Sequence, residues 1–198
     1  MLDFAWMPLR LRISPASGIA CILFAVINCT SNGLAAQPAS DRQAAGSLTV
    51  TSPSFRQGDR IPKRFTADGG DLAPALNWSK PPGKTKSLAL IMDDPDAPAG
   101  TWTHWVIYNL PPDSQQLKEG TARQATLPDG SRQGRNSWGR TGYSGPAPPP
   151  GQAHRYFFRL YAADSKIDLK QGVSREDLLL ALKGHVIAEG ELAATYSR

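Results

Sequence analysis

The chain has 198 residues, 40% hydrophobic and 20% charged, with 22 lysines and arginines against 17 aspartates and glutamates. That length and balance exclude a disordered or collagen-like chain and fit a single globular domain able to bury a sizeable core. The net charge of +5 is too modest to mark a nucleic-acid surface, and the densest basic group, Arg123, Arg132, Arg135 and Arg140, falls in a Gly- and Ser-containing loop with Trp138 as its one aromatic.

The first 36 residues do not read as part of that domain. Arg10 and Arg12 precede an apolar run from Ile19 to Ile27, and Leu34-Ala35-Ala36 supplies small residues for cleavage. This order predicts a secretory signal peptide over 1–36, cleaved near Ala36, and hence a periplasmic or secreted protein. The run is short for a bilayer span, which takes about 20 apolar residues. An uncleaved anchor and lipidation at Cys29 are the alternatives, the latter disfavoured by Asn28. Both cysteines, Cys21 and Cys29, lie in this segment, so the mature chain has none to pair in an oxidising compartment. Residues 37–46 are small and polar, a flexible lead-in to a domain over 47–198.

Within that domain, Leu48–Thr51, Ile61–Phe65 and Ala75–Trp78 read as short strands separated by strong turn chemistry such as Asp68-Gly69-Gly70-Asp71 and Pro81-Pro82-Gly83. Leu88–Met92 is continuously apolar and stops at Asp93-Asp94-Pro95, the pattern of a strand buried on both faces. Trp105–Tyr108 and Tyr156–Ala162 read the same way, each beginning beside a histidine. Ser174–Lys183 is the one firm helix, with Ser174 as N-cap, Asp177 in capping-box position and Gly184 as its stop. Val186–Tyr196 alternates apolar and polar positions as a half-buried strand does.

Two segments join a stiff turn to a histidine: Asp94-Pro95-Asp96-Ala97-Pro98 leading to His104-Trp105, and Gly142-Tyr143-Ser144-Gly145-Pro146-Ala147-Pro148-Pro149-Pro150-Gly151 leading to His154-Arg155-Tyr156. Proline fixes φ and lacks an N–H, so these runs form rigid loops at element ends, and one of their Xaa-Pro bonds is expected to be cis. Acids and histidines carried on such loops are candidates for one pocket at a sheet edge. Two imidazoles can donate to an oxyanion and become cationic near neutral pH, and an aspartate behind a histidine fixes its tautomer. Asp93 is read as satisfying local backbone donors, and Trp78, Trp102 and Trp105 as packing residues.

These two segments closely resemble the signature regions of the phosphatidylethanolamine-binding protein family, in particular its bacterial Raf-kinase-inhibitor-like branch. Arg60-Ile61-Pro62, Leu76-Asn77-Trp78, Tyr108–Pro112 and Ala188–Leu192 extend the resemblance over roughly Ser47 to Arg198. Ala73 before Pro74 and Ala147 in the proline loop depart from the usual pattern. The resemblance and the strand pattern imply a mostly β chain, an antiparallel β-sandwich-like single domain with a few short flanking helices. The resemblance further implies a pocket for phosphate-like anions and phospholipid head groups lined by Asp94, His104, Pro148, Pro149, His154 and Tyr156, with Asp96, Tyr143 and Gly145 as further candidates. A phosphate or phosphoethanolamine-like ligand is therefore the expected partner, with a membrane surface and a protein as further candidates. No metal and no cofactor are called for. Two other readings stay open: a secreted inhibitor of a protease or host signalling protein, and a metal-dependent hydrolase using the same acids and histidines. No Gly-x-Ser-x-Gly or His-x-x-x-His is present to support catalysis.

Overall fold

The computed structural model describes residues 46–198. The segment read as a signal peptide, and the lead-in up to residue 45, lie outside the described residues. Among the described residues the elements run β1 (Gly46–Ser47), β2 (Val50–Thr51), β3 (Leu76–Trp78), β4 (Ser87–Asp94), β5 (Trp102–Leu110), β6 (Gln116–Leu117), β7 (Arg132–Gln133), β8 (His154–Ala163), α1 (Arg175–Leu182) and β9 (Val186–Tyr196).

A six-stranded sheet has the order β1-β9-β8-β4-β5-β7, and a three-stranded sheet the order β2-β3-β6. β4 is flanked by β5 and β8, and its alternating side chains enter two different layers. Leu88, Leu90 and Met92 join the core shared with Val50, Leu76 and Trp78 of the small sheet. Ala89 and Ile91 join a second layer with Leu178 and Leu182 of α1. Covering both faces is what makes the strand a continuous apolar run. Each large side chain so buried contributes about 1.5–3 kcal/mol.

The helix forms where its caps predict. Ser174 accepts from the Asp177 N–H at 3.1 Å, and Asp177 accepts in return from the Ser174 N–H at 2.9 Å. Gly184, at φ +82°, lets the chain turn out of it into β9.

Several expectations are corrected. Ile61–Phe65 is not a strand: Pro62, which has no N–H for a ladder, precedes a 3₁₀ turn over Lys63–Phe65. The large sheet is not wholly antiparallel, because β1 runs parallel to β9, pairing Gly46 with Ala188. The short helices that accompany the sheets among the described residues are α1 and the one 3₁₀ turn. No cis peptide occurs among them; the second signature loop turns instead at Gly142 and Gly151, both at positive φ.

Candidate functional site

Because β4 is antiparallel to both neighbours, its C-terminal end lies beside the N-terminal ends of β5 and β8. That topology alone brings Asp94, His104 and His154 to one edge. The register then adds a detail. Met92 pairs with Trp105 and Asp93 with Thr103, so His104 is the extra residue of a β-bulge. A bulge breaks the alternation of side chains and re-aims the inserted one. His104 consequently meets Tyr156 edge to face, with ring centres 5.2 Å apart.

Each histidine is anchored through Nδ1. His154 is 2.8 Å from Asp94 Oδ2, while Asp94 Oδ1 accepts the Asp96 backbone N–H at 2.9 Å. His104 Nδ1 lies 2.7 Å from the Ser144 carbonyl oxygen. A carbonyl and a carboxylate only accept, so each ring donates its Nδ1 proton internally and keeps Nε2 for other partners. Asp94, His104 and His154 are 3%, 2% and 9% exposed. Burial holds the His104 imidazole below the ordinary histidine range, against the opposing pull of its Ser144 bond and of the nearby Asp94 and Asp93 charges. His104 therefore favours the neutral form at pH 7 and becomes cationic less readily than an ordinary histidine.

Asp94, His104 and His154 share a cavity of about 260 Å³ with Trp102, Trp138, Pro148 and Pro149. Its base is polar and its walls are apolar, the mixture found in sites that orient a small molecule. Tyr156 lies beneath, fully buried, packed on His104; burial first, and then the Asp94 charge, push its phenol well above the usual range. Its hydroxyl has no hydrogen-bond partner among the described residues. A larger groove of about 950 Å³, centred on Asp113–Gly120, contains none of the candidate residues.

The remaining candidates stand outside the cavity. Asp96 is engaged by Arg155, accepting from its backbone N–H at 2.9 Å, from Nε at 2.9 Å and from Nη2 at 2.7 Å. That guanidinium holds the Asp96 carboxyl down to about 2. The pair ties the Asp-Pro-Asp loop to the start of β8. Tyr143 is buried and donates to the Phe65 carbonyl oxygen. Gly145 donates to Asp71 Oδ1 at 2.6 Å, and a Cβ there would meet Phe65 O at 2.3 Å. Both residues hold the second loop down, and with it the Ser144 carbonyl.

Asp93 also departs from its reading. It is 1% exposed and takes Thr103 Oγ1 and Arg175 Nε, each at 2.9 Å, joining β4 to the start of α1 rather than bonding local backbone. Among the described residues no group of three or more His, Cys, Asp or Glu is arranged to hold a metal ion.

Residues 51–197 match the family model described as phosphatidylethanolamine-binding protein. The chain belongs to the phosphatidylethanolamine-binding protein family. A UPF0098 protein of Methanothermobacter thermautotrophicus is 52% identical over 151 residues, covering 76% of this chain and 99% of that protein. Two solved structures are similar at a TM-score of 0.71. One is a Chlamydia trachomatis phosphatidylethanolamine-binding protein homologue, 39% identical and covering 78% of this chain and 99% of its own. The other is E. coli YbcL, described as a member of the mammalian family, 32% identical and covering 76% and 98%.

For this family member, sequence reasoning missed Asn136 and Asp71. The Asn136 amide donates to Gly142 O at 3.2 Å and Ser144 Oγ at 2.9 Å, while its oxygen accepts from the Trp138 and Arg140 N–H groups. Asparagine two residues before a Trp-Gly pair is turn chemistry, and that signal was readable. Asp71, at φ +50°, reaches Gly145 from 74 residues away, which no local pattern announces.

Proposed function

We propose that this protein is an exported binding module for a small oxyanion, a phosphate ester or carboxylate such as a phosphoethanolamine head group, which it holds without turning it over. The observation that carries the proposal is the pair of buried imidazoles. Both spend Nδ1 on fixed internal acceptors, 2.7 and 2.8 Å away, and both line one cavity. Fixed, partly desolvated Nε2 atoms accept from a ligand O–H, or donate once binding of a dianion draws a proton onto the ring. A volume just under the usual 300–1,000 Å³ of small-molecule sites suits a head group rather than a large ligand. Family membership supports a ligand-binding role, and the family's description supports the choice of phosphoethanolamine. Export is supported by the charged, apolar and small-residue order of residues 10–36.

Calorimetric titration of phosphoethanolamine into wild type, His104→Ala and His154→Ala tests the site, with a parallel assay for phosphate release. Each substitution removes a bond to a charged group, about 1.5–3 kcal/mol, or tenfold or more in Kd. Equal affinity in all three proteins removes these histidines from the site. Turnover abolished by the same substitutions replaces the binding module with a hydrolase. N-terminal sequencing of protein from its native host tests export, and a full-length cytoplasmic chain overturns it.

A further inference from the structure

At the opposite end of the large sheet lies a cavity that shares no lining residue with the histidine site. It has a volume of about 380 Å³ and opens between the start of β4, the end of β5, β7 and the chain that leaves β8. Ser87 and Asp94 stand at the two ends of β4, seven positions apart, so at about 3.3 Å per residue roughly 23 Å separates this cavity from the first. Three cations line it, Lys86, Arg132 and Lys166, against one acid, Asp129. None of the three is in an ion pair among the described residues. Like charges gathered without a counter-ion repel one another, and an anion placed among them removes that cost.

The backbone that presents these cations is fixed. Lys86 donates its N–H to Ala163 O at 2.8 Å. Lys166 follows on a loop held from two sides: Ser87 Oγ donates to Ser165 O at 2.7 Å, while the Asn109 side chain takes the Ile167 N–H at 2.8 Å and donates to Ile167 O at 2.9 Å. To do so Asn109 adopts φ +56°, a left-handed conformation that asparagine tolerates better than most residues. Arg132, half-buried on β7, donates from Nη1 to Leu169 O at 2.9 Å. Asp129 is turned to its own loop, where its Oδ1 takes the Ser131 N–H at 3.0 Å and the Ser131 hydroxyl at 2.6 Å. Pro111 and Pro112 offer no N–H, and the Gly130 N–H goes to Leu127 O at 2.9 Å. On that side charged side chains, rather than a nest of amides, meet a ligand.

We infer that this cavity is a second ligand site, for a compact polyanion: two or more phosphoryl or carboxylate groups carried on one small molecule. Three cations are more than a single carboxylate can meet, and the one bond from Arg132 to Leu169 leaves further guanidinium N–H groups for an oxyanion. A volume of about 380 Å³ lies within the usual 300–1,000 Å³ of small-molecule sites and suits a molecule the size of pyrophosphate or citrate. The inference is independent of the reading of the histidine cavity.

Pyrophosphate, citrate and acetate titrated into wild type and a Lys86→Glu, Lys166→Glu double variant form the test, with amide chemical shifts from NMR to show where each probe lands. Both lysines are exposed, so the reversal should leave the fold intact. In wild type, pyrophosphate or citrate should shift the amides of Lys86, Gly130 and Lys166 and bind about tenfold tighter than acetate, or better. The double variant should lose about tenfold in that affinity, while phosphoethanolamine binding stays within about twofold of wild type. Raising salt from about 0.05 to 0.5 M should weaken wild-type binding severalfold, because exposed charge contacts are screened. Pyrophosphate over citrate assigns the site to phosphoryl groups, and the reverse to carboxylates; either supports the inference. Equal affinity in the double variant, shifts confined to Asp94, His104 and His154, acetate bound as tightly as both polyanions, or no binding of either polyanion overturns the site and leaves the histidine cavity standing. Phosphoethanolamine weakened as much as pyrophosphate marks a long-range field rather than a site and overturns it too. If circular dichroism shows the double variant unfolded, Lys86→Gln and Lys166→Gln take its place, and wild-type affinity in both overturns the inference.

Discussion

Asp94 Oδ2 lies 2.8 Å from His154 Nδ1 although sixty residues separate them. The carboxylate is 3% exposed, and its second oxygen holds the Asp96 N–H, so one side chain fixes both the imidazole and the turn that follows β4.

Asp94→Ala should therefore cost more than the loss of one contact. It leaves the His154 Nδ1–H and the Asp96 N–H without an acceptor, and a buried donor so stranded costs about 1–3 kcal/mol. Asp94→Asn, which keeps an acceptor oxygen, should lose less. Urea unfolding measures both; an Asp94→Ala protein as stable as wild type would show that the pair does not hold the fold.

His104 makes stability depend on pH. Folded His104 holds its proton less tightly than the unfolded chain, whose imidazole titrates near 6.5. In mildly acid solution the unfolded state binds more protons, so stability is lost as pH falls below about 6.5 and is fully present above it. His104→Gln should flatten that dependence. Unfolding free energies at pH 5 and 7.5 for the two proteins give the answer, and an unchanged slope removes His104 as its source. Binding of a dianion should reverse the sign locally by drawing a proton onto the ring, visible as proton uptake in titrations run in buffers of different ionisation enthalpy.

The Asp96–Arg155 clamp behaves oppositely. With the Asp96 carboxyl held at about 2 against an ordinary 3.8, its stabilisation is present above pH 3.8 and disappears as pH falls through about 2. The Arg155 side chain is 60% exposed, so screening limits the pair to about 0.2–1 kcal/mol. A double-mutant cycle with Asp96→Asn and Arg155→Ala should return a coupling in that range at pH 7 and a clearly smaller one at pH 2, where the carboxyl is about half protonated. A coupling unchanged at pH 2 would show that the pair is not ionic.

Gly145→Ala should destabilise more than its size suggests. The new Cβ would stand 2.3 Å from Phe65 O and 2.8 Å from Thr66 Cα, both backbone atoms that cannot rotate away. Relieving the clash by moving the loop also moves the Ser144 carbonyl that anchors His104. The expected cost is about 1–3 kcal/mol, with weaker phosphoethanolamine binding. Wild-type stability by thermal unfolding would contradict the packing described for this loop.

The central strands were legible because both their faces are buried: an apolar run such as Leu88–Met92, too short for a helix and bounded by turn residues, packs best as a strand covered on both sides. The α1 caps were legible because a capping box is local. The placement of His104 was only half legible. Sequence puts it at the start of a strand, whereas it is the third residue of β5 and a bulge, and a bulge depends on register with β4 that no single strand reports. Asp96 stayed an open candidate because nothing local in the sequence shows that Arg155, 59 residues on, takes it. Ile61–Phe65 failed for a different reason: burial of Ile61 and Phe65 mimics a strand, although Pro62 forbids the ladder.

The parallel pairing of β1 with β9 decides how this molecule can be held at a surface. β1 meets β9 at Ala188 and Glu189, whereas the cavity end of β9 is marked by Tyr196 opposite His154. At about 3.3 Å per residue, the eight positions from Ala188 to Tyr196 separate these points by roughly 26 Å. An attachment at Gly46 is therefore set well back from the cavity residues, whereas Arg198 follows Tyr196 by only two residues. Immobilised binding measurements belong on the N-terminal side.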